Sequence, residues 1–431
     1  MKRAVSVVLA VLALGALVGL GWYLGLTRNW RGDRSEAGRP LSGREPIVIG
    51  GLMDTTGPTS DVGRDYAMGM EEAFRYVNDT GGIAGRPVSY VWFDYGYRVQ
   101  EAVTRYNYLK KLGVIAIMGW GTADTEALAR KAAEDGIAYV SASYSARLTD
   151  PKTARANFFF APDYSTSARA ALSAWFDARW PQNPAYGKRK PRLACVYQFS
   201  SPYAASAVKA VKDHARILTT ETNSDWDQDL SLFALDAKKQ AEALKKIAPD
   251  VVFCGNTTQS VALILREARA AGVSAQFIVN PWGFDENLPA LAGPAAEGVM
   301  GVTPSGFFAQ DFPLMNRVRE YARRCNPQTP PEKRLIRTVQ AWADALMLAE
   351  ALKRADAARA LSGPGVIRAF ETLRSFDIGL GAAPVTFTAA DHRPTGTCLI
   401  QEWRNGAFSP VERVDVAGRW PQKWRKEWMG W

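Results

Sequence analysis

The chain has 431 residues, of which 47% are hydrophobic and 22% are charged. This composition excludes a disordered protein and provides enough apolar material for two cores. The net charge of +10 is concentrated at the two ends, because residues 1–44 contain seven Lys or Arg against two acids and residues 419–431 contain four against one. The body between them carries too little positive charge for a phosphate-binding face, which argues against nucleic acid as a partner.

The first 45 residues contain a candidate export segment. An unbroken apolar run from Ala4 to Leu26 follows Lys2 and Arg3, which is the order of charged and apolar regions in a secretory signal. The run is also long enough to cross a bilayer. We therefore expect residues 1–45 to be a signal or anchor segment with a linker, and we favour an uncleaved anchor over a cleaved signal. The first cysteine is Cys195, so no cysteine is at hand for a lipid anchor.

The body alternates short apolar runs with segments of helical periodicity. In its first part the pattern predicts strands at 46–52, 88–93, 114–118 and 138–141, and helices at 65–78, 99–112 and 125–134. After a bend near 158–163 it predicts strands at 193–197, 251–254 and 275–279, and helices at 204–214 and 260–271. A long helix at 335–354 and strands within 385–414, with a turn at Asn405-Gly406, follow. The sequence thus predicts two α/β units in series, each a parallel sheet covered by helices on both faces.

The chain lacks the sequence signatures of common enzyme classes. It has no phosphate-binding loop, no zinc-protease motif, no dinucleotide-binding glycine pattern after a strand and no nucleophile elbow. The two histidines are expected at the surface, His214 at a helix end, where a cation would meet the helix dipole, and His392 in a polar turn. We therefore expect a protein that is not an enzyme, with no catalytic residues, no metal site and no cofactor.

The four cysteines are widely separated and form no metal-binding pattern. Cys195 and Cys254 lie in apolar, strand-like runs and are expected to be buried. A disulfide between Cys325 and Cys398 is compatible with an oxidising compartment, but the sequence alone does not pair them.

Candidate binding residues follow the predicted strands. Ligands of parallel α/β sheets bind beyond the carboxyl ends of the strands, where helix N-termini offer unpaired N–H groups. The loops there carry Thr122 and Ser143, whose hydroxyls suit a polar head, and Trp120 and Trp282, whose indoles suit an apolar or planar body. Helix capping is the competing explanation for the two hydroxyls, and core packing for the two tryptophans.

Several of these segments resemble a known family. The runs 47–52 and 56–58, and above all the element Asn-Asp-Thr-Gly-Gly-Ile-Ala-Gly at 78–85, are similar to the opening of periplasmic binding proteins of the branched-chain amino-acid (Leu/Ile/Val-binding) type. Further similarities, at 134–137, 266–272 and 295–299, extend the resemblance over nearly all of residues 46–400.

The resemblance implies the type I periplasmic-binding fold: two Rossmann-like α/β lobes with parallel sheets, joined by three crossovers around an interlobe cleft. Lobe I would comprise 46–162 and 305–384, and lobe II 163–304 and 385–431. It also implies a periplasmic protein that closes on a small-molecule ligand and delivers it to the permease of an ABC importer. Residues 4–26 would then tether the protein to the inner membrane.

The resemblance further assigns roles to single residues. Thr122 stands where the family places a hydroxyl on the ligand carboxylate. Ser143 and Ser145 stand in the second carboxylate-binding loop. Tyr203 matches an aromatic residue of lobe II that covers the ligand, and Trp120 lies beside Thr122.

The sequence departs from the family where an amino acid would be recognised. Trp282 stands where amino-acid binders place the carboxylate that receives the ligand ammonium, with Asp285 or Asp163 as substitutes. Tyr97 and Gly121 replace a cysteine pair that some members carry. Among amino-acid-like ligands, amides and aromatic or planar carboxylates, we therefore prefer the last as the expected ligand.

The C-terminal segment carries a tryptophan stripe interleaved with Lys and Arg, consisting of Trp420, Trp424, Trp428 and Trp431. We favour docking of this stripe on lobe II over an interfacial helix on anionic lipid. The stripe and the anchor also motivate an alternative function, a membrane-tethered receptor of the same fold that senses its ligand and signals to a partner.

Overall fold

The computed structural model describes residues 45–431, so the predicted anchor at residues 4–26 lies outside the described residues. Within residues 45–431, no helix combines the length and the apolar character needed to cross a membrane. The described chain is built on two sheets, and the elements that pack on each sheet form one subdomain.

The first sheet has five parallel strands in the order β2-β1-β3-β4-β5. The strands are β1 (Ile47–Met53), β2 (Val88–Asp94), β3 (Ala116–Gly119), β4 (Ala138–Ser141) and β5 (Asn157–Phe158). The helices along this part of the chain are α1 (Ser60–Asp79), α2 (Val99–Lys111), α3 (Thr122–Glu134) and α4 (Pro151–Ala154). Every residue of β1, β3 and β4 is buried, because helices cover both faces of the sheet.

The second sheet has eight strands in the order β13-β12-β11-β10-β9-β6-β7, with β8 also beside β6. The strands are β6 (Arg192–Tyr197), β7 (Glu221–Thr222), β8 (Gln228–Asp229), β9 (Val251–Cys254), β10 (Gln276–Val279), β11 (Met300–Thr303), β12 (Thr397–Arg404) and β13 (Ala407–Asp415). The helices here are α5 (Tyr164–Ala178), α6 (Pro202–Ala205), α7 (Val208–Ile217), α8 (Lys238–Ile247), α9 (Thr258–Ala270) and α10 (Asn287–Ala292). Pairing is parallel from β6 to β11, whereas β11–β12 and β12–β13 are antiparallel. The last hairpin turns at Asn405 and Gly406, both with positive φ.

The remaining helices show that the chain visits both sheets repeatedly. They are α11 (Met315–Cys325), α12 (Ile336–Ala357), α13 (Gly363–Phe370), α14 (Val416–Arg419) and α15 (Pro421–Lys426). Both α11 and α12 pack against α1, so the chain returns to the first sheet after β11 and goes back to the second at β12. We call β1–β5 with α1–α4 and α11–α13 the first subdomain, and β6–β13 with α5–α10, α14 and α15 the second. The residue bounds of the two lobes given above remain predictions.

The structure contains helices that were not predicted, namely α4, α5, α8, α10, α11, α13 and α14. Two of the differences have a clear physical cause. The predicted helix 204–214 is divided into α6 and α7 at Ser206, whose hydroxyl donates to the Tyr203 carbonyl (2.6 Å) and competes with the helical bonding there. Helix α5 was not predicted. Its residues are buried on all sides from Tyr164 to Trp175, so its sequence lacks the one-sided apolar periodicity of a surface helix.

The predicted surface positions of the two histidines are wrong, since both are buried. His214 Nε2 lies 2.7 Å from the hydroxyl of Ser173, and burial lowers the pKa of His214 to about 3, so the ring is neutral and brings no cation to its helix end. His392 packs against the ring of Phe158 at 4.4 Å between centroids. Both rings therefore pack in the interior, each with a polar partner, instead of facing water.

Cys195 and Cys254 are buried, as predicted. The disulfide considered between Cys325 and Cys398 is absent, and all four thiols are free. Cys325 is exposed at the end of α11 on the first subdomain, whereas Cys398 is buried in β12 of the second, so the two thiols belong to different packing units.

The tryptophan stripe docks on the second subdomain. This confirms the prediction that the stripe packs on the protein and is not an interfacial helix on lipid. Trp428 is buried, with the guanidinium carbon of Arg169 at 4.3 Å from a ring centroid. Trp420 packs against His214 at 4.7 Å between centroids. Arg393 lies at 3.8 Å over Trp424. The stripe therefore closes a core of the protein instead of presenting its indoles outward.

Candidate ligand-binding crevice

The loops that follow the strands of both sheets meet at one crevice. A cavity of about 20 Å³ lies between the two subdomains. The first subdomain lines it mainly with Thr59, Tyr97, Trp120 and Thr122, and the second with Tyr164, Tyr203, Thr257 and Trp282. Four predicted site residues, Trp120, Thr122, Tyr203 and Trp282, thus lie together although they follow three different strands of two sheets.

Trp282 makes the closest packing across the crevice. It follows β10 of the second subdomain, and its indole is enclosed by rings of the first: Trp120 at 4.9 Å, Tyr144 at 5.6 Å and Tyr66 at 6.0 Å between centroids. Only 3% of Trp282 is exposed. An aromatic box of one subdomain therefore holds an indole of the other, and the crevice is already occupied by a planar group of the protein itself.

Arg337 of α12 clamps the loop that carries Trp282. Its guanidinium carbon lies 4.9 Å from a ring centroid of Trp282. Nη1 donates to the Pro281 carbonyl (2.9 Å), and Nη2 donates to Asp285 Oδ2 (2.9 Å). Both members of the ion pair are fully buried. This buried pair joins the two subdomains directly behind the crevice.

Thr122 forms part of a polar wall of the crevice, and its hydroxyl bonds to Ser143, which lies outside the lining of the cavity. Thr122 Oγ1 and Ser143 Oγ lie 2.7 Å apart. Thr122 is the first residue of α3, and no side chain caps that helix, so helix capping does not account for its hydroxyl. The backbone N–H groups of Gly121 and Thr122 at the start of α3 already bond to the phenols of Tyr95 and Tyr97. The hydroxyls are therefore the donors that a carboxylate or another acceptor group would meet at this helix N-terminus.

Tyr164 completes this wall from the second subdomain. Burial raises the pKa of its phenol, and hydrogen bonding with Trp282, Thr122 and Ser143 opposes that rise. The phenol is thus neutral, and its oxygen is placed to accept from the two hydroxyls and from the Trp282 indole. The sequence analysis missed Tyr164 because it starts α5, the helix without amphipathic periodicity.

Besides Ser143, three predicted residues do not line the cavity. Ser145 donates to Glu126 Oε1 (2.6 Å) on the far side of its loop. The carboxylate of Asp285 is taken by Thr258 (2.6 Å) and Arg337. Asp163 caps α5 by accepting from the backbone N–H of Thr166 (2.9 Å). Neither aspartate is free to receive an ammonium group, and within the described chain the residues that line the cavity carry no charge.

A carboxylate of the first subdomain meets a helix N-terminus of the second nearby. Asp61, in the first turn of α1, accepts at Oδ2 from the backbone N–H of Gln259 at the start of α9 (3.3 Å). Burial raises the pKa of Asp61 to about 6; the Gln259 N–H opposes the rise and the Asp285 carboxylate adds to it. Burial of Asp61 between the subdomains is the largest of these effects, and it favours the protonated form of the carboxyl group.

We expect closure of the two subdomains to become more favourable on mild acidification, in part through Asp61. Its pKa is raised from 3.8 to about 6, so its contribution is fully present below about pH 4 and lost as the pH rises through about 6. X-ray scattering between about pH 7 and about pH 5 should show a decrease in radius of gyration that the neutral variant Asp61→Asn shows to a smaller extent.

An exposed aspartate provides the control for this measurement. Asp236 lies at the surface, 3.7 Å from Lys238, so Asp236→Asn should keep the wild-type pH profile. Other carboxyls with pKa values raised to about 7, those of Glu72, Asp124 and Glu286, are common to all three proteins. Identical profiles for wild type and Asp61→Asn would contradict the assignment.

The strand-end loops of two α/β subdomains meet at a crevice lined by hydroxyls and indoles. This arrangement is typical of proteins that bind a ligand between two subdomains. The chain belongs to the periplasmic binding protein family, whose sequence model, described as "Periplasmic binding protein", matches residues 46–407. Its fold is the type I periplasmic-binding fold that the sequence resemblance implied.

Individual relatives agree with this assignment. A Leu/Ile/Val-binding protein of Escherichia coli (strain K12) is 23% identical over 269 residues, which cover 61% of this chain and 69% of that protein. An ABC transporter substrate binding protein from Aeropyrum pernix is 32% identical with a TM-score of 0.77, covering 87% of this chain and 96% of that one. A branched chain amino acid ABC transporter protein from Thermus thermophilus, crystallised with bound valine, superposes with a TM-score of 0.79 at 21% identity, covering 89% and 100%. The resemblance to the branched-chain amino-acid type is confirmed.

Proposed function

We propose that the protein is an extracytoplasmic solute-binding protein that closes its subdomains on a small organic ligand and delivers it to the permease of an ABC importer, without catalysing a reaction. The observation that carries this proposal is the convergence of Trp120 and Thr122 of one subdomain with Tyr203 and Trp282 of the other at a single crevice. The relative from Aeropyrum pernix, an ABC transporter substrate binding protein, supports the transport role.

The uncharged lining favours a carboxylate with a planar body over an amino acid. An ammonium group would enter without a counterion, because Asp285 is already paired with Arg337, and a buried unpaired charge costs several kcal/mol. A carboxylate, in contrast, would meet the hydroxyls of Thr122 and Ser143 and the N-terminus of α3. Aromatic or planar carboxylates are therefore the proposed ligands, and amides the next class.

Entry of such a ligand requires the subdomains to separate. The cavity of about 20 Å³ is far smaller than the roughly 300 Å³ at which pockets for organic ligands begin. Because Trp282 belongs to one subdomain and its aromatic box to the other, opening withdraws the indole and exposes the rings of the box. A ligand ring then takes over part of the contact that Trp282 makes.

Removal of one hydroxyl tests the site. Hydrogen bonds to a charged group contribute roughly 1.5–3 kcal/mol each, so Thr122→Val is expected to weaken binding of an aromatic carboxylate by about tenfold or more. Isothermal titration calorimetry with benzoate, phenylacetate, benzamide and leucine would measure both the preferred class and the effect of the variant. Affinity for the preferred ligand should be about micromolar.

Thr125→Val is the matched control, because Thr125 is buried on the same helix but does not line the cavity. It should leave the affinity unchanged. Binding of leucine and other branched-chain amino acids alone would show that the ligand class is wrong. Equal affinities of the two threonine variants would show that the ligand does not bind at the crevice.

A membrane-tethered receptor remains the alternative. It depends on residues 4–26, which lie outside the described residues. The tail that also motivated it is docked on the second subdomain. No contact of residues 45–431 favours this alternative over transport.

A further inference from the structure

A second and much larger cleft opens on the other side of the loop that follows β4. Its volume is about 430 Å³, which lies within the range of pockets that hold small organic molecules. Ser143 and Ser145 stand on opposite sides of this loop, since Ser143 bonds to Thr122 at the crevice while Ser145 bonds to Glu126 at the cleft. The two spaces thus share one wall but present different side chains.

Both subdomains contribute to this cleft. Glu126, Ser145 and Arg147 form its wall on the first subdomain, and the segment 199–210 together with Trp431 forms the wall on the second. A molecule bound there would contact both subdomains. Its binding would therefore depend on closure and would favour it.

The charges of the cleft favour an anion. Lys209 lies with its ammonium nitrogen 4.4 Å from a ring centroid of Trp431, and within the described chain it has no carboxylate partner. Arg147 has a single contact with Glu126, at 3.7 Å, and its side chain is largely exposed. Glu126 in turn accepts from Ser145. Among the side chains that line the cleft, one acid (Glu126) therefore stands against two cations on opposite walls.

The floor of the cleft adds hydroxyl groups. Ser145, Ser165 and Ser201 line it and are buried. The hydroxyl of Ser201 is already used, because it caps α6 by accepting from the Ala204 N–H (3.3 Å). The hydroxyl of Ser165 makes no side-chain hydrogen bond to any residue of 45–431, so it is available to a ligand.

We propose that this cleft is a second solute site, which takes a small organic anion carrying hydroxyl groups. Lys209 and Arg147 would hold acidic groups from opposite walls, and Ser165 would bond to a hydroxyl at the floor. The two serines of one loop would then serve two ligands, one on each side. The site does not depend on the nature of the ligand in the crevice.

Calorimetric titration of the full chain with L-malate tests the proposal, with succinate as the probe that lacks the hydroxyl and erythritol as the uncharged probe. We expect malate to bind more tightly than either. Lys209→Gln should weaken malate binding by about tenfold, and Ser165→Ala should reduce the preference for malate over succinate. Lys245→Gln, which removes an exposed lysine on α8, should change nothing.

The outcomes separate this proposal from the function proposed above. Thr122→Val should leave malate binding unchanged, and Lys209→Gln should leave benzoate binding unchanged. No binding of malate at millimolar concentration, or equal binding to wild type and Lys209→Gln, would overturn the second site. Loss of malate binding in Thr122→Val would show that malate enters the crevice instead.

Discussion

Replacing Trp282 by alanine is expected to loosen the contact between the subdomains and to increase the radius of gyration measured by X-ray scattering. Truncation of a buried tryptophan costs about 3–5 kcal/mol. Here the indole belongs to the second subdomain, whereas Tyr66, Trp120, Tyr144 and Arg337 around it belong to the first. Part of the lost free energy therefore destabilises the closed arrangement of the subdomains relative to an open one. The rest lowers the free energy of unfolding.

Trp180 provides a matched control for this variant. It is as buried as Trp282, at 3% exposure, but it packs against Trp175 and Tyr186, which lie in the second subdomain. Trp180→Ala should lower stability by a similar amount and leave the radius of gyration unchanged. An unchanged radius in Trp282→Ala would show that the indole does not hold the subdomains together.

Free indole gives a second readout of the Trp282 variant. Apolar cavities created by truncation bind aromatic molecules of matching shape. Indole should therefore raise the melting temperature of Trp282→Ala and restore its compactness, without either effect on the wild type. Compaction of the variant by indole would also show that an aromatic ligand can replace the protein's own ring in the aromatic box.

The fold was predictable because its signal is local and repeated. Runs such as 251–254 are buried on both faces, so their sequence is continuously apolar and predicts a strand. The pair Asn405-Gly406 predicts the turn of a hairpin. Helix α5 escaped prediction because burial on all sides removes the periodicity on which the prediction depends. The histidines were placed wrongly because their short-range sequence is polar, while their burial results from distant partners such as Trp420 and Phe158.

The crevice was predictable only in part. Trp120, Thr122 and Trp282 directly follow strands, and the carboxyl ends of parallel strands share one edge of a sheet. Ser145 was wrongly placed because the loop turns after Ser143: the Ser145 N–H folds back to Ser143 Oγ (3.4 Å), and a short 3-10 helix begins at Ala146. In a fully extended loop the two serines would have faced the same side. Arg337 was missed because its contact with Asp285 depends on how two subdomains close, and nothing in the sequence near either residue records that geometry.

Replacing Arg337 by methionine is expected to give the second large effect, a loss of about 3–5 kcal/mol in the free energy of unfolding. Arg337 and Asp285 are both fully buried, and the variant would leave the carboxylate with Thr258 as its remaining side-chain donor. Chemical denaturation measures the loss. The double variant Arg337→Met with Asp285→Asn should recover part of it, because a neutral amide needs no cation.

Arg334 separates the loss of a buried ion pair from the loss of the contact between subdomains. Its guanidinium donates to both carboxylate oxygens of Glu72 at 2.8 Å, and both side chains are fully buried within the first subdomain. Arg334 also lies 3.3 Å from the buried Asp65, so Arg334→Met should destabilise the protein at least as much as Arg337→Met. Only Arg337→Met should increase the radius of gyration and alter ligand affinity. If the two variants showed the same scattering and the same affinities, the Arg337–Asp285 pair would be an ordinary core contact. If the double variant were no more stable than Arg337→Met, the uncompensated carboxylate would not be the cause of the lost stability.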